Sequence, residues 1–117
     1  MDDGAGQLGD ITVYFEYDRS EVLPGYADTL AAHARRLSGQ PGLRVRLEGH
    51  ADERGSREYN IGLGQRRAQA VRRILLIQGA SAGQISTVSF GEERPAELGS
   101  TEAAYEKNRR VALIYLQ

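Results

Sequence analysis

The sequence predicts an α+β domain built as a two-layer sandwich, with helices on one face of a single sheet. Four short segments alternate apolar and polar residues, which is typical of strands with one buried face. Longer segments between them carry apolar residues at helical spacing, so the elements follow in the order β-α-β-α-β-α-β. A chain of 117 residues, 40% of them hydrophobic, has room for one such core and no more.

Local signals give the approximate bounds of each element. Residues 1–10 are polar and glycine-rich without a periodic pattern, which predicts a flexible leader or linker remnant ahead of one domain over 11–117. Pro24 suits the first turn of a helix and Gly79 suits the residue that ends one. Strands are predicted at 11–17, 43–48, 85–90 and 111–115, and helices at 24–38, 57–78 and 101–107.

Composition excludes several classes of protein and leaves the location open. The formal net charge of −1 provides no general attraction to nucleic acid or to an anionic membrane. Without cysteine there are neither disulfides nor thiolate metal ligands. No apolar run approaches the roughly 20 residues that span a bilayer, and there is no signal peptide. A cytosolic protein and a fragment lacking its export segment both fit these facts.

One position of the second helix breaks its apolar pattern. Arg67 follows Leu63 by four residues and precedes Val71 by four, so it falls on the stripe that should face the core. Holding a guanidinium against a core without compensation is costly, so Arg67 needs a partner. Asp52, in the loop that enters the same helix, is the predicted candidate. The two residues either pair directly or together hold a ligand that carries both charges.

Four separated blocks of sequence point to a known family. GHADERG at 49–55 is followed by YNIGLGQRRAQAV at 59–71, and the other blocks are VYFEYDRSEV, VSFGEERPAELG and AAYEKNRRVALIY. In this order they resemble the peptidoglycan-binding domain shared by OmpA, the flagellar stator protein MotB and the peptidoglycan-associated lipoproteins. The ADERG wording is most similar to the lipoprotein branch. The resemblance covers nearly the whole chain and implies a mixed four-stranded sheet with the first two helices packed on one face.

The resemblance also implies a ligand and a site. In the family the ligand is the cell-wall stem peptide, whose diaminopimelate ends in an ammonium and a carboxylate on one carbon. By analogy Asp52 would take the ammonium and Arg67 the carboxylate, for which a planar guanidinium fork is well suited. Gly55 would let the loop backbone approach the ligand. The residues expected to bind ligand are Asp52, Arg67, Asn60, Asp18 and Leu63.

The same resemblance implies a biological setting. We expect a binding protein that is not an enzyme and uses no cofactor, located in the periplasm. In its intact form it would be attached to the outer membrane by a lipid anchor that is absent from this chain. It would tether that membrane to peptidoglycan and would also bind TolB of the Tol system.

Two other functions stay open on the sequence. One is an adaptor in which Asp52 and Arg67 form a purely structural pair. The other is a metal-dependent cell-wall hydrolase using His50, Asp52 and Glu53, although this spacing matches no helical His pair or established zinc pattern. Strand parity instead predicts an outward orientation for His50, with a surface position or a hydrogen-bonding role.

Several further residues carry structural expectations. His33 borders the stripe of the first helix and is predicted to be a half-buried packing residue. One of Arg109 and Arg110 is expected to pin the short third helix to the sheet. Gly62 and Gly64 should each cost the long helix roughly 1 kcal/mol relative to alanine, which close packing there would explain.

Overall fold

The computed structural model describes residues 9–116, so nearly all of the predicted leader lies outside the described part of the chain. The elements have close to the predicted bounds, and short turns of 3-10 helix at Pro24–Tyr26 and Ala82–Gln84 precede α1 and β3. In chain order they are β1 (Ile11–Tyr14), α1 (Ala27–Gly39), β2 (Arg44–His50), α2 (Arg57–Ile77), β3 (Ile85–Gly91), α3 (Glu102–Asn108) and β4 (Arg110–Leu116).

The sheet is mixed and has four strands in the order β1-β4-β2-β3. β2 and β3 are parallel, as the helix that connects them requires, whereas β4 runs antiparallel to both β1 and β2. The first and last strands of the chain therefore lie side by side. This confirms the α+β fold that the sequence predicts and the mixed four-stranded sheet that the family resemblance implies.

The core fills the space between this sheet and the helices α1 and α2. Alternate strand residues point into it, as Val45 and Leu47 do from β2, and they meet Leu30 and Leu37 of α1. From α2 the buried apolar residues include Leu63, Ala68, Val71 and Leu75. No helix within residues 9–116 is both long and apolar enough to cross a membrane.

The N-terminal half of α2 is pressed directly against the end of β2. The helix begins at the Ser56 cap, whose Oγ accepts a hydrogen bond 3.1 Å long from the Tyr59 amide. About two turns into the helix, a Cβ added to Gly64 would lie 2.3 Å from Ser89 Oγ and 2.9 Å from the carbonyl oxygen of Gly49. The two backbones therefore touch, which explains Gly64. A Cβ on Gly62 would meet only the Arg66 side chain, at 3.4 Å, so packing does not explain that glycine.

The surface position predicted for His50 is wrong. Gly49 pairs with Ser89 but His50 pairs with Gly91, so Phe90 is the extra residue of a bulge. The Phe90 ring lies 5.5 Å from the imidazole, between ring centroids, and His50 is only 2% exposed. Strand parity indicates which face a residue occupies, but it does not reveal that a bulge covers that face.

The half-buried position predicted for His33 is also wrong, since the side chain is fully buried. The Tyr115 ring stacks on it with centroids 5.6 Å apart, and His33 Nδ1 shares a hydrogen bond 2.6 Å long with the Tyr115 hydroxyl. The guanidinium of Arg36 lies 4.3 Å above the Tyr115 ring centroid. A residue near the C-terminus thus encloses His33, and helical spacing alone cannot reveal this long-range contact.

Candidate functional site

A cavity of about 150 Å³ lies where β2 ends, beside the first turns of α2 and the segment after β1. This volume is below the roughly 300–1,000 Å³ of pockets that enclose whole drug-sized ligands, so the cavity suits an end group. The structure brings together all the residues that the sequence analysis singled out as ligand contacts. They are Asp18, Asp52, Asn60, Leu63 and Arg67.

A larger cavity of about 470 Å³ lies between the end of β1 and α3 and contains none of those five residues. Its acidic lining residues, Glu16 and Glu106, are exposed, and its one buried charge is Arg109. The smaller cavity is lined by the buried carboxylate of Asp52 and the buried guanidinium of Arg67. Of the two cavities it alone has buried side chains of both signs, so the smaller cavity is the candidate site.

Arg67 is fully buried and is held by backbone carbonyl groups. Its Nε donates to Arg19 O at 2.8 Å, its Nη1 to His50 O at 2.8 Å and its Nη2 to Glu16 O at 3.1 Å. Burial lowers the pKa of Arg67 to about 10, opposed by the nearby charge of Asp52, so the side chain stays cationic at neutral pH.

The prediction that Asp52 and Arg67 pair directly, one of the two alternatives left open by the sequence, is therefore wrong. The partners of Arg67 are carbonyl oxygens at the end of β2 and in the turn after β1. That turn is closed by a hydrogen bond from Arg19 N to Glu16 O, and Asp18 in it has a left-handed φ of 56°. The structural Asp52–Arg67 pair that the adaptor hypothesis assumes is therefore absent from the described residues.

Asp52 is instead enclosed by two other arginines. Its Oδ1 accepts from the Arg54 amide at 3.0 Å and from Arg54 Nε at 3.1 Å, and its Oδ2 accepts from Arg54 Nη2 at 2.8 Å. Arg109 Nη1 lies 3.5 Å from Oδ2. Burial by itself would raise the pKa of Asp52, but the hydrogen bonds from Arg54 and the charges of Arg54 and Arg109 outweigh it and lower the pKa.

Arg54 is the site residue that the sequence analysis missed. Its guanidinium is sandwiched between two rings, 4.1 Å from the Tyr17 centroid and 4.3 Å from the Tyr105 centroid. A usable signal was present, because an aspartate that precedes a glycine by a few residues often accepts a hydrogen bond from the amide two positions on. In GHADERG that amide belongs to Arg54.

Arg109 is the arginine that pins α3, as one of the NRR pair was expected to do. Its Nε donates to Phe15 O at 2.9 Å, next to the end of β1, and its Nη1 donates to Glu102 of α3 at 3.2 Å. Arg110 donates to the carbonyl groups of Asn108 and Arg94. Arg109 thus joins α3, the end of β1 and Asp52 in one buried contact.

The remaining predicted residues form the walls of the cavity. Asn60 is 1% exposed and its Nδ2 donates to Glu92 Oε1 at 2.7 Å, so it ties α2 to the turn after β3. Leu63 supplies a buried apolar wall, and Asp18 accepts a hydrogen bond from the Tyr59 hydroxyl at the rim. Gly55 has a φ of 100°, a conformation that favours glycine.

The trio named for a hydrolase does not form one site. Glu53 accepts hydrogen bonds from Ser100 and Tyr105, Asp52 binds the arginines, and the ring of His50 lies against Phe90. Within the described residues, no three His, Asp or Glu side chains are grouped as they would be around a metal ion.

Comparison with known proteins agrees with this architecture. Residues 14–109 match the OmpA family. The peptidoglycan-associated lipoprotein of Pasteurella multocida is 55% identical over 104 residues, which are 89% of this chain and 69% of the relative. That of Pseudomonas aeruginosa is 50% identical over 113 residues, 97% of this chain and 67% of the relative.

Solved structures support the same conclusion. The crystal structure of the peptidoglycan-associated lipoprotein from Burkholderia pseudomallei matches with a TM-score of 0.89 and 43% identity, over 90% of this chain and 89% of that one. The C-terminal domain of Helicobacter pylori MotB matches with a TM-score of 0.82 at 19% identity, over 92% and 84% of the two chains, and shows the fold alone. The chain therefore belongs to the OmpA family, and within it is most similar to the peptidoglycan-associated lipoproteins.

Proposed function

We propose that this domain binds the peptidoglycan stem peptide non-covalently, through the amino-acid end of its diaminopimelate. The observation that carries the proposal is that a buried cation, Arg67, and a buried anion, Asp52, both line one small cavity. Ligand groups of both signs have a partner there, and the cavity accommodates an end group rather than a whole peptide.

The carboxylate of the ligand would bind Arg67. A guanidinium has five N–H donors, and backbone carbonyls take three of those of Arg67, one on each nitrogen. One donor on Nη1 and one on Nη2 remain without a partner among residues 9–116. Two donors on a side chain held rigidly by backbone acceptors suit a planar carboxylate.

The ammonium of the ligand would bind Asp52, with Asp18 adding negative charge at the rim. Leu63 would contact the carbon chain of the diaminopimelate, and Asn60 would offer its amide oxygen, since its nitrogen is bonded to Glu92. Each contact is reversible and leaves the ligand chemically unchanged, so we propose a binding protein rather than an enzyme.

At the level of the whole protein, we propose a tether between the outer membrane and the cell wall, with TolB as a second partner. The similarity to peptidoglycan-associated lipoproteins supports the tether. Exposed Tyr17 and Tyr59 beside the cavity are of the type enriched at protein interfaces and support a protein partner on this side of the domain. Titration with purified TolB tests that part separately.

The test of ligand binding is calorimetric titration with the tripeptide L-Ala-γ-D-Glu-meso-diaminopimelate. We expect Arg67→Gln and Asp52→Asn each to weaken binding by at least about tenfold, because each leaves one ligand charge unpaired. The matched control is Arg66→Gln, which removes a neighbouring exposed cation and should change affinity by less than about threefold.

Circular dichroism and thermal melting verify that each variant is folded, and mass spectrometry verifies that the tripeptide is recovered intact. Absence of binding by the native chain would refute the proposal. So would equal losses in Arg66→Gln and Arg67→Gln, because the effect would then follow net charge and not the cavity.

A further inference from the structure

Donors of Arg54 occupy most of the Asp52 carboxylate, and a second arginine faces the rest of it. A carboxylate offers about four lone-pair positions. Three are filled by the amide, Nε and Nη2 of Arg54, and Arg109 Nη1 stands 3.5 Å from Oδ2. A ligand ammonium that donates more than one hydrogen bond to Asp52 must therefore displace one of the two arginines.

Arg54 is the arginine able to withdraw. Arg109 is 6% exposed and fixed to Phe15 O, whereas the Arg54 side chain is 34% exposed and has no hydrogen bond to a main-chain acceptor among the described residues. Its other contacts are two aromatic faces and the Glu102 carboxylate, whose Oε1 is 3.8 Å from Nη2. Contacts of these kinds near the surface are individually weak.

We propose that Arg54 is a specificity-determining residue, which occupies Asp52 in place of the ligand ammonium and is displaced when that ammonium binds. This inference rests on the proposed function. The two charged groups of the ligand then bind in different ways. The carboxylate binds donors that are already available on Arg67, whereas the ammonium must compete with a guanidinium of the protein.

Glu102 is an alternative ion-pair partner for the displaced Arg54 guanidinium. It is an exposed residue in the first turn of α3, and its carboxylate already accepts a hydrogen bond from Arg109. A small rotation of Arg54 between the Tyr17 and Tyr105 rings would exchange Asp52 for Glu102 as its partner. The cation would remain stacked on aromatic rings throughout, so its desolvation changes little during the exchange.

The experiment compares two tripeptides on two forms of the protein. One ligand is L-Ala-γ-D-Glu-meso-diaminopimelate, and the other is the same peptide with hydrogen in place of the distal amino group. The ratio of their affinities measures what the ammonium contributes. We compare that ratio between the native chain and Arg54→Gln, which keeps the backbone amide bond to Asp52 but lacks the charged fork.

We expect Arg54→Gln to bind the diaminopimelate peptide about tenfold more tightly than the native chain does, because the competitor is gone. Affinity for the des-amino peptide should change by less than about threefold. The affinity ratio therefore rises about tenfold in the variant. In the control Arg66→Gln, which removes a rim cation stacked on Tyr59 and has no contact with Asp52, the ratio should stay within about threefold of native.

An unchanged or lower ratio in Arg54→Gln would overturn the inference, because Arg54 would then be a structural residue or a ligand contact. A rise of equal size in Arg66→Gln would overturn it too, since the cause would be general charge. Failure of the native chain to bind the diaminopimelate peptide would remove the proposed function and the inference together. Normal binding with an unchanged ratio would remove only the inference.

Discussion

The two arginines that line the cavity, Arg67 and Arg54, are held in opposite ways. Arg67 is fully buried, projects from a long helix and is bound by backbone carbonyls from two separate segments. Arg54 lies in a loop, is about one-third exposed in its side chain and is bound by side chains. Removing Arg67 leaves several acceptors unsatisfied, whereas removing Arg54 mostly exposes one carboxylate to water.

This difference shows that one side of the cavity, around Arg67, is rigid, whereas on the other side Arg54 can exchange its partner. These are called the rigid half and the exchangeable half of the cavity. Backbone acceptors cannot change rotamer, so they fix the position and orientation of a charge before ligand arrives. Side-chain partners near the surface can exchange at low cost. Under the proposed function, the cationic half of this site is preorganised, and the anionic half is occupied by the Arg54 side chain, which can exchange its partner.

The largest expected effect is the difference in stability between variants that lack Arg67 and variants that lack Arg54. We expect Arg67→Gln to lower the free energy of unfolding by about 3 kcal/mol, because buried carbonyls lose their donors. Arg54→Gln should lower it by less, about 1–2 kcal/mol, because Arg54 is partly exposed and Arg109 still faces the buried Asp52 carboxylate. Urea unfolding of the native chain and both variants measures the difference. Equal losses would contradict the contrast between a rigid and an exchangeable half.

A second test concerns the contact that positions α2, and with it Arg67, over β2. In Gly64→Ala the new Cβ would lie 2.3 Å from Ser89 Oγ and 2.9 Å from Gly49 O, so we expect destabilisation of about 2 kcal/mol from overpacking. The matched variant Gly62→Ala has space and should gain about 1 kcal/mol from helix propensity.

Thermal or urea unfolding of the two glycine variants distinguishes these outcomes by sign. Destabilisation by both substitutions would mean that the start of α2 tolerates no side chain on either face. Stabilisation by both would mean that the β2–α2 contact relaxes easily and does not fix the height of Arg67 above the sheet.

A smaller effect concerns pH and His50, whose carbonyl binds Arg67. Burial, followed by the charges of Arg110 and Arg94, lowers the pKa of His50 to about 4. In the unfolded chain the pKa returns to about 6.5, so the unfolded state takes up the proton first. The contribution of His50 to the free energy of unfolding is therefore fully present above about pH 6.5. It falls as the pH drops, by about 2 kcal/mol between about pH 7 and pH 5.

His50→Gln should remove most of that pH dependence, whatever its effect on stability at neutral pH. Burial also lowers the pKa of His33, and the charge of Arg36 adds to the effect. The free energy of unfolding of the variant should therefore still decrease as the pH drops, but less steeply. Unfolding measured in urea at several pH values supplies both slopes. Identical slopes in the variant and the native chain would show that His50 is not responsible.

Most of the fold follows from the sequence because its signals are local. Alternation identified the strands, and Gly79, with a φ of 118°, ends α2 as expected. The mixed strand order came from the family resemblance, since no periodicity reveals which strands are neighbours. The predicted first strand was too long, because the chain turns after Phe15 through the Glu16–Arg19 hydrogen bond.

Apart from Arg54, the charged residues that line the candidate cavity were predictable from the sequence, but the hydrogen-bond partners of Arg67 and Asp52 were not. A charged residue on an apolar stripe identified Arg67, and the motif GHADERG identified Asp52. Which partner satisfies each charge depends on where separate segments meet in space. The acceptors of Arg67 are carbonyl groups up to 51 residues away in sequence, and carbonyl groups exist at every position. Charge-to-charge matching therefore favoured the wrong pair.

The short connection from β1 to Arg67 also has a mechanical consequence. β1 is the strand nearest the described N-terminus, and the carbonyl groups of Glu16 and Arg19 follow it directly. Tension applied from the N-terminal side would reach the guanidinium through a few residues of backbone, without passing through the core. With membrane attachment on the N-terminal side and the proposed ligand on Arg67, the load between membrane and cell wall would run along this path.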